Sequence, residues 1–246
     1  MSMPKLPAQT YTSVVQNVED YQPSEVLLLA ITQLEGLRSG EQKRLVGRWC
    51  ALLPTLKDVK HLEFCSRVTQ EMFDAACSMP NLEYLALKWS AITHIHKLPA
   101  ARKLRHLRIG ASSKLEEIEE LAEMRNLVGL HLQQFNKIDD FTPISGLTQL
   151  EGLGIDGSMW TAQRLRSLKP LAGLTELTHL SLTKTEAMDK SFDPLLGLHK
   201  LERFYCSWNY PEAEFAKLKQ LPNLRHGNVE TSWKEIKQSW RRVRRS

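Results

Sequence analysis

A leucine-rich phrase, LxxLxL, recurs eight times along this 246-residue chain, and that recurrence limits the fold more than any other feature. The copies are Val59-Leu62-Phe64, Leu82-Leu85-Leu87, Leu104-Leu107-Ile109, Leu127-Leu130-Leu132, Leu150-Leu153-Ile155, Leu177-Leu180-Leu182, Leu201-Phe204-Cys206 and Leu224-Gly227-Val229. Successive starts lie 23, 22, 23, 23, 27, 24 and 23 residues apart. The fourth and sixth positions of each copy alternate at period two, so they point to one face of a short strand. The third, fifth and seventh point the other way. One such strand cannot bury its apolar face alone, but parallel copies stacked side by side build a continuous core.

A second phrase strengthens this reading: Pro143-Ile-Ser-Gly-Leu-Thr148, Pro170-Leu-Ala-Gly-Leu-Thr175 and Pro194-Leu-Leu-Gly-Leu-His199. Proline opens a short helical turn readily, because its missing N–H would be unpaired there. Together these residues resemble the leucine-rich repeat family, in particular the short 22–24-residue repeats of the internalins and related bacterial proteins. The resemblance runs from about Leu56 to Ser232. It implies an α/β solenoid, or horseshoe, with parallel strands on the concave face. Short helices or 3-10 turns would line the convex face, and helices would cap both ends. The family places Asn three residues after the sixth position; here those sites hold Arg67, Ser90, Ser112, Phe135, Ser158, Thr185, Asn209 and Ser232. Only Asn209 keeps the consensus, Ser and Thr can make a weaker version of the bond, and Asn136 after Phe135 suggests a turn shifted by one residue.

The chain divides into an N-terminal segment and cap (1–55), eight repeats (56–232) and a C-terminal capping helix with a basic tail (233–246). Residues 1–22 carry no strong pattern. Val26-Leu29-Ile31 fits a degenerate repeat strand, while Ser24 could equally start a helix. Ser39-Gly40-Glu41-Gln42 fits a capping box, with Leu45, Trp49, Leu52 and Leu56 on one helical face. Ser232-x-x-Glu235 is a second box, leading into the apolar stripe Trp233, Ile236, Trp240 and Val243.

The formal charge of +5 resides in residues 234–246, which hold six basic side chains and one acid. Positions 1–233 balance at 27 of each sign, which disfavours a body that reads nucleic acid along its length. Leucine makes up 39 residues, yet no apolar run approaches the ~18 of a membrane span. Met1 to Gln16 holds no uninterrupted apolar core of the secretory kind. Cys50, Cys65, Cys77 and Cys206 show no CxxC spacing, so a zinc ribbon, a redox pair and a disulfide framework are disfavoured. A cytoplasmic monomer is the expectation.

Register alone writes down the outward columns. The third positions are His61, Tyr84, His106, Gly129, Gly152, His179, Arg203 and His226. The fifth are Glu63, Ala86, Arg108, His131, Gly154, Ser181, Tyr205 and Asn228; the seventh include Cys65, Lys88, Gln133, Asp156 and Thr183. No two histidines share a column on adjacent strands, and no Asp or Glu is expected to complete a pocket between His106 and His131, so no metal or other cofactor is expected. Cys65 has no base beside it in its column. The aromatics Tyr84 and Trp89, with Tyr205 and Trp208, flank a floor of Gly129, Gly152 and Gly154. The 27-residue fifth repeat places extra residues around Met159 to Arg164, a rim loop carrying Trp160. With Arg108, His131, Asp156 and Arg203 these form the expected contact set for a protein ligand on a non-catalytic scaffold. Two other classes stay open: an adaptor for nucleic acid or anionic membrane through the arginine tail, and a regulatory module of a separate enzyme.

Overall fold

The computed structural model describes residues 13–228. Its strands are β1 (Val26–Leu29), β2 (His61–Phe64), β3 (Tyr84–Leu87), β4 (His106–Ile109), β5 (Gly129–Gln133) and β6 (Gly152–Asp156). They continue as β7 (Gln163–Leu165), β8 (His179–Leu182), β9 (Thr185–Ala187), β10 (Arg203–Cys206) and β11 (His226–Gly227). Nine of them form one parallel sheet in the order β1-β2-β3-β4-β5-β6-β8-β10-β11. Leu62, Leu85, Leu107, Leu130, Leu153, Leu180 and Phe204 are register partners in sequence, and all are buried. The sixth-position column from Phe64 to Cys206 is buried with them. Each strand therefore contributes its two apolar side chains to a core shared with its neighbours.

Register is bolted at the entrance to each strand of the nine-stranded sheet after β1. The second-position carbonyl of one copy accepts two successive N–H groups from the next: Lys60 O takes Glu83 and Tyr84, and Glu83 O takes Arg105 and His106. The same pair of bonds recurs at Arg105, Val128, Glu151, Thr178 and Glu202. It also occurs at Glu25, whose carbonyl receives Lys60 N and His61 N at 2.9 Å. Val26–Leu29 is thus a repeat strand, and the helix alternative falls away. Its register is two residues from the sequence expectation: Leu27 pairs with Leu62 and Leu29 with Phe64, so Ser24 occupies the leucine site that opens the phrase. The open edge of β1 is covered in turn by Val15, which bridges Leu29.

On the far wall the proline phrases form 3-10 turns at Thr142–Gly146, Lys169–Leu171 and Asp193–Leu195, each with proline in its first two positions. Ile144, Leu171 and Leu195 from these turns close the core from behind. Two longer elements thicken the wall near the N-terminal end: α1 (Ser39–Leu52) and α2 (Gln70–Cys77). Strands stack at about 4.8 Å, closer than helical turns can, so the coil narrows toward the strand side. The capping box of α1 sits one residue earlier than its sequence reading: Arg38 is the N-cap, and its N–H donates to Glu41 Oε2 at 2.9 Å. The second box, with Trp233, Ile236, Trp240, Val243 and the arginine tail, lies outside the described residues.

The loops after the strands are tied by side chains other than the consensus Asn. Asn209 is exposed, and its carbonyl accepts from Lys190 Nζ. Asn136 is exposed as well, while Phe135 itself fills the buried site, so that turn is not shifted. In their place Ser66 accepts from Ile31 N and Thr32 N, Ser90 meets Ser112 at 2.6 Å, and Thr185 donates to Ile155 O at 2.6 Å. Gln163, only 2% exposed, accepts from Phe135 N at 2.8 Å and donates to Ile138 O at 2.7 Å. Asn228 belongs to this set too. Expected to face outward, it is buried, because its amide exchanges two bonds with the Cys206 backbone.

At the opposite edge a further column, just before each repeat's first leucine, carries an unanticipated ladder. Asn81, Asn126 and Asn223 donate to Lys57 O, Arg102 O and His199 O, and Lys103 Nζ donates to Asn81 Oδ1.

Substitutions on one strand and in one loop test this arrangement. Leu130→Ala should cost about 2–5 kcal/mol through lost burial and the cavity left behind, whereas Gln133→Ala, outward on the same strand, should change stability by less than about 0.5 kcal/mol. Urea unfolding that ranks them the other way contradicts the register. Gln163→Leu leaves a buried N–H and a buried carbonyl without their partner and should cost about 2–4 kcal/mol, measured against the same Gln133→Ala reference.

Candidate functional site

At its N-terminal end the strand face is paved by rings rather than studded with free anchors. His61 stacks on Tyr84 with centroids 3.9 Å apart and planes 17° apart, and His106 follows at 6.1 Å. Tyr84 is consequently half-buried between column neighbours. Burial, with His106 nearby, pushes the His61 imidazole down to about 4; burial lowers His106 and raises the Tyr84 hydroxyl. Trp89 lies at the strand end, with the Lys88 ammonium 5.4 Å from its ring centroid.

The middle of the face brings Arg108, His131 and Asp156 together around a hollow of about 310 Å³, with Gln133, Gly157, Ser181 and Thr183. Asp156 is its hub. Its Oδ2 lies 2.9 Å from His131 Nε2, and its Oδ1 accepts Ser181 Oγ at 2.7 Å and Thr183 N at 2.8 Å. Asp156 thus stands beside His131 on the side away from His106, a contact the sequence columns did not anticipate. The long fifth copy carries Asp156 one strand over and two positions along, a diagonal that column-by-column reading overlooks. The serine hydroxyl is bound to the carboxylate and not to the imidazole, so the trio lacks the nucleophile-to-base hydrogen bond that activates a serine. The glycine floor is also partly covered: a Cβ at Gly129 would meet His106 at 2.6 Å, and one at Gly154 would meet His131 at 2.5 Å. Gly152 alone of the three faces open space.

Toward the C-terminal end Tyr205 is 46% exposed. Trp208 is instead half-buried, stacked at 4.7 Å on Phe215 of α3 (Glu212–Lys217), so it serves packing as well as surface. Arg203 stands next to Tyr205, outward on β10. The extra residues of the fifth repeat make a rim loop in which Ser158 Oγ accepts from Thr161 N at 2.9 Å. The chain then runs into β7, which pairs with β9 in a separate two-stranded sheet. That loop holds Trp160 at 90% exposure, away from the Arg108 hollow and beside Asp139 and Arg164. The nine sequence candidates thus fall into three groups along the coil, with Trp160 apart on the rim, rather than into one pocket.

Burial and Glu63 push the Cys65 thiol up, which disfavours the reactive thiolate. Among the described residues no group of three His, Cys, Asp or Glu side chains is placed to hold a metal ion. No described helix is long and apolar enough to cross a membrane.

The ring stack has a consequence in acid. An imidazole held at about 4 in the folded chain but near 6.5 when unfolded favours the unfolded state increasingly as pH falls below 6.5. His61→Phe keeps a ring against Tyr84 and removes the proton site. The stability of the variant should fall less steeply between pH 6.5 and 4 than that of the parent, read from urea unfolding at each pH. Parallel curves would mean that the His61 ring titrates as if in water.

No protein-family model and no curated protein matches the sequence. Solved structures do match it. An internalin of Listeria monocytogenes superposes with a TM-score of 0.62 at 19% identity, over 82% of this chain and 53% of that one, so the chain spans about half of its length. Internalin C2 of the same organism gives 0.58 at 20% identity, covering 83% and 80%. A plant peptide hormone receptor in complex with RGF2 gives 0.50 at 19% identity, covering 71% and 28%. Identities this low speak to fold alone, and they agree with the parallel sheet, the leucine ladder and the 3-10 wall: the chain is an α/β leucine-rich-repeat solenoid with repeats similar to those of the internalins.

Proposed function

We propose that this solenoid is a non-catalytic scaffold that binds a protein partner on its strand face, acting in the cytoplasm as a monomer. The repeats of 56–232 would form the binding unit, and the segments 1–55 and 233–246 its caps. The observation that carries the reading is a face whose side chains are fixed before any partner arrives. Asp156 is held by three donors, His61, Tyr84 and His106 form a stack, and Tyr205 and Trp160 are left exposed. A face already ordered loses less entropy on association, and exposed Tyr, Trp and Arg are the residue types that dominate binding energies. The similar solved structures, one of them a receptor in complex with RGF2, support protein binding as the general activity.

Within the contact set, Arg108, His131 and Asp156 would form the polar centre. Arg203 and Tyr205 would form one flank, with Trp208 behind them; Tyr84 and Trp89 would form the other. Trp160 would reach a partner that extends over the rim.

Cross-linking capture from native lysate with mass spectrometry, using a photoreactive residue at Gln133, should yield a discrete protein partner. Against that partner Tyr205→Ala should weaken binding by at least about 1 kcal/mol while leaving the melting temperature within a degree or two. Lys169→Ala on the opposite wall should have no effect. A footprint confined to the 3-10 wall would overturn the assignment.

A further inference from the structure

Two arginines on the strand face hold a buried nitrogen that no described group satisfies. Arg108 on β4 and Arg203 on β10 are half-buried, and the Nε of each is sealed from water with no hydrogen-bond partner. Neither joins any ion pair among the described residues. Several exposed cations elsewhere on the coil are paired, among them Lys60 with Glu25, Lys137 with Glu116, Arg166 with Asp139 and Asp140, Lys200 with Glu176, and Lys217 with Asp193; what sets Arg108 and Arg203 apart is a sealed, unpartnered Nε.

The acids nearest these arginines are occupied or displaced. Asp156 shares the hollow with Arg108 but already accepts from His131, Ser181 and Thr183. Glu63 shares the column of Arg108 but stands two strands away, across the small buried Ala86. Glu151 and Glu202 precede β6 and β10 at the rim and are exposed there. A guanidinium whose fork is only partly wet, and which no described carboxylate engages, offers two parallel donors to a carboxylate arriving from outside.

The spacing of the pair gives the ligand a length. From β4 the sheet runs through β5, β6 and β8 to β10, four strand steps or about 19 Å. An extended chain advances about 3.3 Å per residue, so about six residues cover that distance. Between the two arginines low ground at Gly152, which opens to empty space, and at the short, buried Ser181 lies beside the His131 and His179 rings. Exposed Tyr205 offers an apolar ring beside the second arginine.

We propose that this face binds an extended acidic segment of a protein partner, laid across the strands, with one carboxylate on Arg108 and a second, about six residues away, on Arg203. The proposal rests on the protein-binding reading above and gives it a partner chemistry.

The test pans phage-displayed random twelve-residue peptides on the full-length chain and remakes the enriched sequences as amidated synthetic peptides, so that only side-chain carboxylates remain. Enriched sequences should share two acidic residues about six positions apart. Changing either acidic residue to its amide should weaken binding about tenfold, and Arg108→Gln and Arg203→Gln should each do the same without lowering the melting temperature. Combining each peptide change with each arginine change should give one non-additive pairing per arginine, which assigns carboxylate to guanidinium. Replacing Arg241, Arg242, Arg244 and Arg245 by Gln should leave affinity unaltered.

Acidic peptides that depend on the tail arginines and ignore Arg108 and Arg203 would overturn the proposal, as would a panning that enriches nothing. Neutral peptides that still lose affinity on Tyr205→Ala would sink the acidic-segment proposal alone and leave the protein-binding reading standing. Binders indifferent to every strand-face change would sink both.

Discussion

The structure hangs on a carbonyl at the second position of each repeat accepting two consecutive N–H groups from the next. A strand of four or five residues has too little apolar surface to fix its own place, and side-chain alternation has a period of two. A slip by one residue would turn Leu130 to solvent and His131 into the core. The paired bonds forbid that slip at each step from Glu25 to Glu202. Once they are made, inward and outward columns follow with no further instruction, and so does the place of every candidate contact residue.

Backbone bonds set the register but leave the loops on either side with polar groups to satisfy, and the chain meets that need with mixed chemistry. Hydroxyls serve at Ser66, Ser90 and Thr185, and amides at Gln163 and Asn228. Each such bond contributes only about 0.5–1.5 kcal/mol net. Their greater effect lies in what omission would cost, since a buried N–H such as that of Phe135 would otherwise stand unpaired. Gln163 reaches the Phe135 loop from a residue 28 positions on because the long fifth copy inserts β7 there. The same insertion holds Trp160 out from the rim, so one irregularity supplies both a structural tie and an exposed aromatic.

Most of the fold was legible because it is periodic: the third, fourth and fifth positions pair across the sheet as the LxxLxL phrase places them. What escaped was local or long-range rather than periodic. Ser24 in a leucine site disguised the register of β1, although Leu27 and Leu29 kept the inward pair. Asn81, Asn126 and Asn223 share the dipeptide Asn-Leu at the head of their repeats, a signal visible in the sequence but hidden by attention to the consensus Asn further on. The Asp156 hub was hidden for another reason. Its partners His131 and Ser181 lie on the strands to either side and in another column, a diagonal that only the twist and spacing of a real sheet bring within 3 Å. Trp208 looked like a free anchor until Phe215, from a helix with no repeat signature, stacked against it.

Charge is distributed unevenly around the coil, and that unevenness bears on function more than the net value does. Away from the strand columns, pairs such as Lys60–Glu25 and Lys200–Glu176 are exposed and contribute at most about 1 kcal/mol each. They act mainly to cancel fields between neighbouring repeats. On the strand face Asp156 shares a hollow with Arg108, but its oxygens accept from His131, Ser181 and Thr183 and it forms no ion pair with the guanidinium. Partial burial of a guanidinium without a counter-ion is unfavourable. A chain selected only for stability would gain by placing a carboxylate at Ala86 or Gln133, within a strand of Arg108. With none at either position, the Arg108 guanidinium joins no ion pair among the described residues and stays open to an incoming carboxylate. Electrostatics of that kind contributes less to holding a fold together than to choosing which partner approaches it.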